Sequence, residues 1–194
     1  MALQRICDPM LPELSRVFDA PINEASRVIS FFAIAYGLMQ LFYGPVGDRL
    51  GKYRVVMLAT IGCSVGCVLS ALSADLTFLV AARVGTALAA AAIIPLSLAW
   101  VGDVVHYEHR QETLARVGLG TMLGITAGQL FGGLLTDTLG WRWAFALMAV
   151  AFATVSLLLG QQLKHLDPTA HPTHAPTGFF KQLQQVAHNP WART

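Results

Sequence analysis

The sequence predicts an all-α fold, a polytopic membrane helical bundle, on three observations. Charged residues make up 12% of the chain and hydrophobic residues 55%, whereas soluble domains carry about 25% charged residues. Uncharged stretches long enough to cross a ~30 Å hydrocarbon core as helices recur along the chain. The first two flank the short, glycine-punctuated charged run Gly44 to Arg54, which reads as a tight turn between membrane spans.

Residues 1–12, with Asp8, Pro9 and Pro12, come first. The complete spans follow at 28–46, 55–73, 76–101, 117–135 and 143–163. The third is interrupted by Arg83. Beyond 163, the run Asp167 to Thr177 is rich in Pro, Thr and His, so 164–194 reads as a cytoplasmic linker, with a short amphipathic helix at Phe179 to Ala187. Residues 1–10 carry Arg5, Asp8 and Pro9 and offer no apolar core for a cleavable signal peptide.

A formal net charge of +2 gives no electrostatic footprint for nucleic acid, and the placement of the charges carries more information than their sum. With alternating spans, Arg49, Lys52, Arg54, Arg110, Arg116, Lys164, Lys181 and Arg193 fall on one side, and Arg16, Arg27 and Arg142 on the other. The positive-inside rule then places loops 47–54 and 102–116 and the carboxy-terminal tail in the cytoplasm, in an inner (plasma) membrane. Trp100, Trp141 and Trp143 stand at span ends, as interfacial aromatics do. Cys7, Cys63 and Cys67 follow no metal-ligand spacing. His106 with His109, and His171 with His174, lack further ligands nearby, so no metal and no cofactor is expected. No nucleophilic triad or phosphate-cradling loop is present, and the chain does not read as an enzyme.

An internal repeat organises these spans. The segment Gln40 to Gly51 aligns with Gln129 to Gly140 at the offset 129 − 40 = 89, matching Gln, Leu, Phe, Gly, Asp, Leu and Gly in register. Three spans separate the copies, which places them on opposite sides of the membrane as an inverted three-plus-three repeat. Shifted by the same offset, the counterpart of span 76–101 begins before residue 1, so 1–12 reads as the remnant of a truncated first span. The chain is expected to be an incomplete piece of a larger protein.

The run Gly44, Asp48, Arg49, Gly51, Lys52 and Arg54 resembles the signature cytoplasmic loop of the major facilitator superfamily. The resemblance covers nearly the whole chain as the amino-terminal six-helix half, lacking most of the first helix, and is closest to drug and sugar efflux-type permeases. Arg83 matches the membrane-embedded arginine of that family's fourth helix, although Ala87 replaces the usual glycine. Gly120, Gly124, Gly128, Gly132 and Gly133 resemble the glycine-rich fifth helix of proton-coupled drug antiporters, but Gln129 stands where a proline is expected. The resemblance implies a secondary active transporter of small organic solutes. It implies proton-coupled efflux by alternating access against a missing carboxy-terminal half. A truncated, non-transporting membrane protein or helix-bundle assembly partner is the alternative.

Within this reading Gly44, Gly47, Asp48, Arg49, Gly51, Lys52 and Arg54 form a conformational latch. Gly47 and Gly51 are expected at positive φ, with Asp48 just before a helix start where a carboxylate caps free N–H groups. Arg83 lies eight residues beyond Asp75, roughly 12 Å down a helix. There it either faces a cavity, serving proton coupling with Asp8 as a partner, or snorkels to the interface. Gln40, Gln129 and Tyr36 are candidate substrate contacts, with Phe32 and Met39 beside them; packing is the other role for each. The glycines from 120 to 133 form a small-residue stripe for close helix approach, and the resemblance places their partner in the other half. Asp103, Glu108, Arg110 and Arg116 are expected to form solvated ion pairs with one another or with the first loop.

Overall fold

The computed structural model describes residues 1–163. These form short helices α1 (Ala2–Arg5), α2 (Leu11–Val17) and α3 (Ile22–Ala25), and then α4 (Arg27–Leu50), α5 (Lys52–Ala71), α6 (Leu76–Ala90), α7 (Ile93–Val104), α8 (Tyr107–Thr138) and α9 (Trp141–Leu163). Five stretches are long and apolar enough to cross a membrane: Ile22–Leu50, Lys52–Ala71, Leu76–Val104, Tyr107–Thr138 and Trp141–Leu163. The expected linker 164–194, its amphipathic helix, and His171 and His174 lie outside the described residues.

Helices α5 and α9 pair along the centre, with α6 on the other side of α5, α4 against α6, and α1 against α8. Ser64 Oγ donates to the Ala149 carbonyl at 2.8 Å and Tyr53 Oη to that of Leu159 at 2.9 Å, tying α5 to α9 at two levels. Small residues set the α5–α6 spacing. A Cβ on Gly62 would lie 2.8 Å from the Ala89 Cβ, and one on Gly66 would collide with the Thr86 side chain. Without a solvent-driven hydrophobic force between helices in lipid, such close backbone approach supplies dispersion contacts instead.

The spans run further than their apolar cores. The charged run at 44–54 is not a multi-residue loop: α4 continues through Gly44, Pro45, Gly47, Asp48 and Arg49 to Leu50, and α5 begins at Lys52. Gly51 alone makes the turn, at φ 87° and ψ 122°, a backbone region that side-chain-bearing L-residues rarely adopt. Gly47 is helical, contrary to expectation, and is small because a Cβ there would strike Leu96. The expected loop 102–116 likewise shrinks to Val105 and His106, placing Glu108, Arg110 and Arg116 on α8. Charged residues are excluded from the hydrocarbon, but not from the helices that emerge from it.

Span 76–101 is two helices. Pro95 has no N–H to offer the Ala91 carbonyl and its ring crowds that group, so the ladder breaks at Ala91 and Ala92 before α7. The Ala92 N–H turns to the Ala89 carbonyl at 3.2 Å, and Tyr43 Oη of α4 donates to the Leu88 carbonyl at 2.6 Å. Near the amino terminus, Pro9 cannot donate to the Arg5 carbonyl, and the N–H of Asp8 takes that acceptor at 3.2 Å. The first-span remnant is therefore α1, a turn segment and α2, not one straight helix end.

The inverted repeat appears in the backbone. Gly51 at φ 87° and Gly140 at φ 96° are the positive-φ glycines of the described residues, and 140 − 51 = 89 is the repeat offset. Each separates two long helices, α4 from α5 and α8 from α9.

Gly66→Val is expected to destabilise the purified chain by about 1–3 kcal/mol through overpacking. Gly44→Ala, at a helical site with nothing within 4 Å of the added Cβ, should instead stabilise it by roughly 0.5–1 kcal/mol. Denaturant titration in mixed micelles checks the opposite signs. Tyr43→Phe, which leaves the Leu88 carbonyl without its hydroxyl donor, should speed amide hydrogen exchange at Ala91 and Ala92 while leaving that at Val65 to Cys67 unchanged.

Candidate functional site

Arg83 is the buried charge of the bundle. It lies midway along α6, 1% exposed, and so does not snorkel to the interface. Nη2 donates to the Leu3 carbonyl in the last turn of α1 at 2.7 Å. Its Cζ lies 4.0 Å from the Phe32 ring centroid of α4 and 5.8 Å from that of Phe145 of α9. Nε and Nη1 have no hydrogen-bond partner among the described residues. An unmet buried donor costs about 1–3 kcal/mol, more when charged, so the two cation–π contacts offset only part of the desolvation.

Asp8 is not its counter-ion, contrary to expectation. That carboxylate accepts from Arg5 Nη1 at 3.1 Å and is partly exposed, because the turn after α1 swings it to the side of Arg5. Among the described residues no Asp or Glu forms an ion pair with Arg83.

Tyr36 and Phe32 are buried on one face of α4 and stack with centroids 6.0 Å apart. Both line a cavity of about 60 Å³ with Leu3, Gln4, Ile93 and Phe152. Gln40 and Gln129 are both exposed and do not line it; they are one turn beyond Tyr36 on α4 and beside the buried Gly128 on α8. The structure thus brings Tyr36 and Phe32 to the cavity beside Arg83 and leaves the two glutamines exposed.

Part of the glycine stripe packs inside this chain. A Cβ on Gly128 would lie 2.6 Å from the Ala2 carbonyl oxygen, one on Gly132 2.5 Å from that of Ile6, and one on Gly133 3.5 Å from Pro9. A Cβ on Gly124 would sit 3.8 Å from the Ala2 nitrogen, whereas at Gly120 nothing lies within 4 Å. Gly128, Gly132 and Gly133 are the bed of the amino-terminal segment, and that segment presents the Leu3 carbonyl to Arg83.

At the Gly51 end, charges join three helices. Lys52 Nζ, in the first turn of α5, lies 2.5 Å from Asp103 of α7 and 3.9 Å from Asp48 of α4. Asp48 sits in the last turn of α4, so it caps no helix start; its side chain is 66% exposed. Arg49 and Arg54 are exposed as well. Arg49 suits the negative end of the α4 dipole. Arg110 Nη2 donates to the Gly102 carbonyl at 2.6 Å. Arg116 pairs with Glu112 at 2.5 Å along α8. Tyr53 and Trp100 pack below this cluster at 5.7 Å. At the Gly140 end, Trp141 stands at the repeat counterpart of Lys52 (141 − 52 = 89). It packs on Phe18 at 5.6 Å, and Arg142 donates to the Ser73 carbonyl at 2.9 Å. No cluster of metal-ligating side chains occurs among the described residues.

The break at Ala91, the role of Tyr43 and the bed formed by the stripe were missed by sequence reasoning. Pro95, inside an apolar run, was the available signal for the first; a hydropathy window reads across it.

Comparison with known proteins places this architecture. The family model described as Major Facilitator Superfamily matches residues 2–193. A triacylglyceride transporter of Mycobacteroides abscessus is 30% identical over 140 residues, covering 72% of this chain and 27% of that protein. An uncharacterized MFS-type transporter of Bacillus subtilis is 24% identical over 189 residues, covering 95% and 46%. Citrate exporter 1 of Aspergillus niger is 31% identical over 150 residues, covering 77% and 28%. Each match spans less than half of the relative's length. The crystal structure of the POT family transporter PepTSo superposes with a TM-score of 0.67 at 20% identity, covering 97% of this chain and 40% of that one. That likeness concerns the fold: a helical half-bundle of a transporter. With five membrane-length helices, an inverted repeat and a family match over nearly its full length, the chain is a multi-pass membrane protein and belongs to the Major Facilitator Superfamily.

Proposed function

We propose that the chain is the amino-terminal half of a secondary active transporter that exports small organic solutes in exchange for protons. It works by rocking against a second six-helix half. The observation that carries this reading is the buried, incompletely paired Arg83 beside a small cavity, inside an inverted repeat whose two turns are Gly51 and Gly140. A charge at membrane depth costs about 2.5–3.5 kcal/mol on insertion scales, and sites of that kind mark solute or proton pathways. The name of the citrate exporter supports outward movement. The relatives' cargoes, triacylglyceride and citrate, differ too widely to transfer either.

The Gly51 end faces the cytoplasm of a plasma-membrane protein, on the support of Arg49, Lys52, Arg54, Arg110 and Arg116 at that end. Asp48, exposed and only loosely held by Lys52, is free to meet the second half, as a latch residue must be.

Proteoliposomes holding the full-length protein that carries this chain should show saturable flux driven by an imposed pH gradient; no flux above empty vesicles overturns the transporter reading. Asp48→Asn should lower that flux severalfold at equal membrane abundance. Because Asp48 is exposed, stability should change by less than about 0.5 kcal/mol; unchanged flux removes the latch. For Lys52 and Asp103, a double-mutant cycle with Lys52→Gln and Asp103→Asn should give a coupling of about 0.2–1 kcal/mol that shrinks as salt is raised.

A further inference from the structure

Arg83 is the buried ionised side chain of the described residues, and most of its hydrogen-bonding capacity is unused. One of its nitrogens is engaged, by the Leu3 carbonyl, while Nε and Nη1 are buried without partners. Asp8, in the segment that supplies the Leu3 carbonyl, pairs with Arg5 instead. Leu3 and Phe32, the two groups in closest touch with the guanidinium, also wall the cavity that Gln4, Tyr36, Ile93 and Phe152 help to line. Met1, Ala90 and Ile94 complete the wall, which carries no carboxylate.

We propose that Arg83 and this cavity form one binding site for an organic anion, a carboxylate joined to a short apolar group. The proposal names the substrate class of the transporter read above and rests on that reading. A planar guanidinium with free donors takes a carboxylate by charge-assisted hydrogen bonds, and a low-dielectric surround strengthens the attraction. An amine in the same cavity finds no carboxylate to pair with and is repelled by the guanidinium. Phe32 stands against the guanidinium and in the cavity wall, so displacement of this one ring joins the two spaces. At about 60 Å³ the cavity accepts a short chain, not a drug-sized body, for which about 300–1,000 Å³ is usual.

The test uses the whole chain in phosphatidylcholine nanodiscs, titrated by 19F NMR with 4,4,4-trifluorobutanoate and with the matched alcohol and amine; empty nanodiscs correct for partitioning into lipid. The acid should bind saturably and about tenfold or more tighter than either analogue. Arg83→Gln should abolish that preference while leaving the alcohol's weak binding unchanged. Arg83→Lys keeps the charge without the planar fork, retains an intermediate preference, and serves if the glutamine variant does not fold. Equal binding of acid and alcohol, or a preference that survives in Arg83→Gln, overturns the proposal. Gradient-driven flux in the full-length protein that butanoate does not inhibit overturns this site and leaves the transporter reading standing. Acid binding without any flux sustains the site and overturns that reading.

Discussion

Inside a hydrocarbon layer a backbone carbonyl has no water to turn to, so each one must find its donor within the protein. Most do so along their own helix. The exceptions organise this bundle. Pro9 and Pro95 each remove a donor, and near each break a neighbouring helix sends in a side chain: Arg83 to Leu3 and Tyr43 to Leu88. Those two bonds, at 2.7 Å and 2.6 Å, link α6 to the amino-terminal segment and α4 to α6. Packing follows from them. The amino-terminal segment can hold the Leu3 carbonyl in place because Gly128 and Gly132 let its backbone lie flush on α8.

The repeat gives these local solutions a common plan. Gly51 and Gly140 both take a positive φ at the same place in each copy; Gly51 alone joins α4 to α5, and Leu139 with Gly140 joins α8 to α9. Turns of one and two residues leave little slack between the long helices they join. Tight α5–α6 packing through Gly62 and Gly66 and the Ser64 and Tyr53 bonds to α9 make α5 the member to which most of the bundle is fastened.

Fold class, span number and the repeat were legible because they depend on period and composition, which local sequence carries. The family resemblance was legible from Gly44, Asp48, Arg49, Gly51, Lys52 and Arg54, and the family match over residues 2–193 agrees with it. Span ends were not, since hydropathy marks where hydrocarbon stops and not where hydrogen bonding stops; Asp48 and Arg49 are polar and still helical. The pairing of Asp8 was misjudged for a different reason. A helical projection carries it toward Arg83, but Pro9 breaks the helix and the side chain falls to Arg5. Burial of Arg83 was one of two readings open to the sequence, and the aromatic rings of Phe32 and Phe145, from two distant spans, decide it. Contacts between such spans leave no trace in spacing along the chain.

The two turns share a glycine at positive φ and differ in what secures them. At Gly51 the following residue is Lys52, held to Asp103; at Gly140 it is Trp141, buried at 4% exposure against Phe18. An ion pair weakens as salt screens it, whereas aromatic packing is nearly indifferent to ionic strength. A scaffold that is symmetric in its fold is therefore asymmetric in its fastenings: the chemistry of the solution can loosen one mouth of the bundle and leave the other shut.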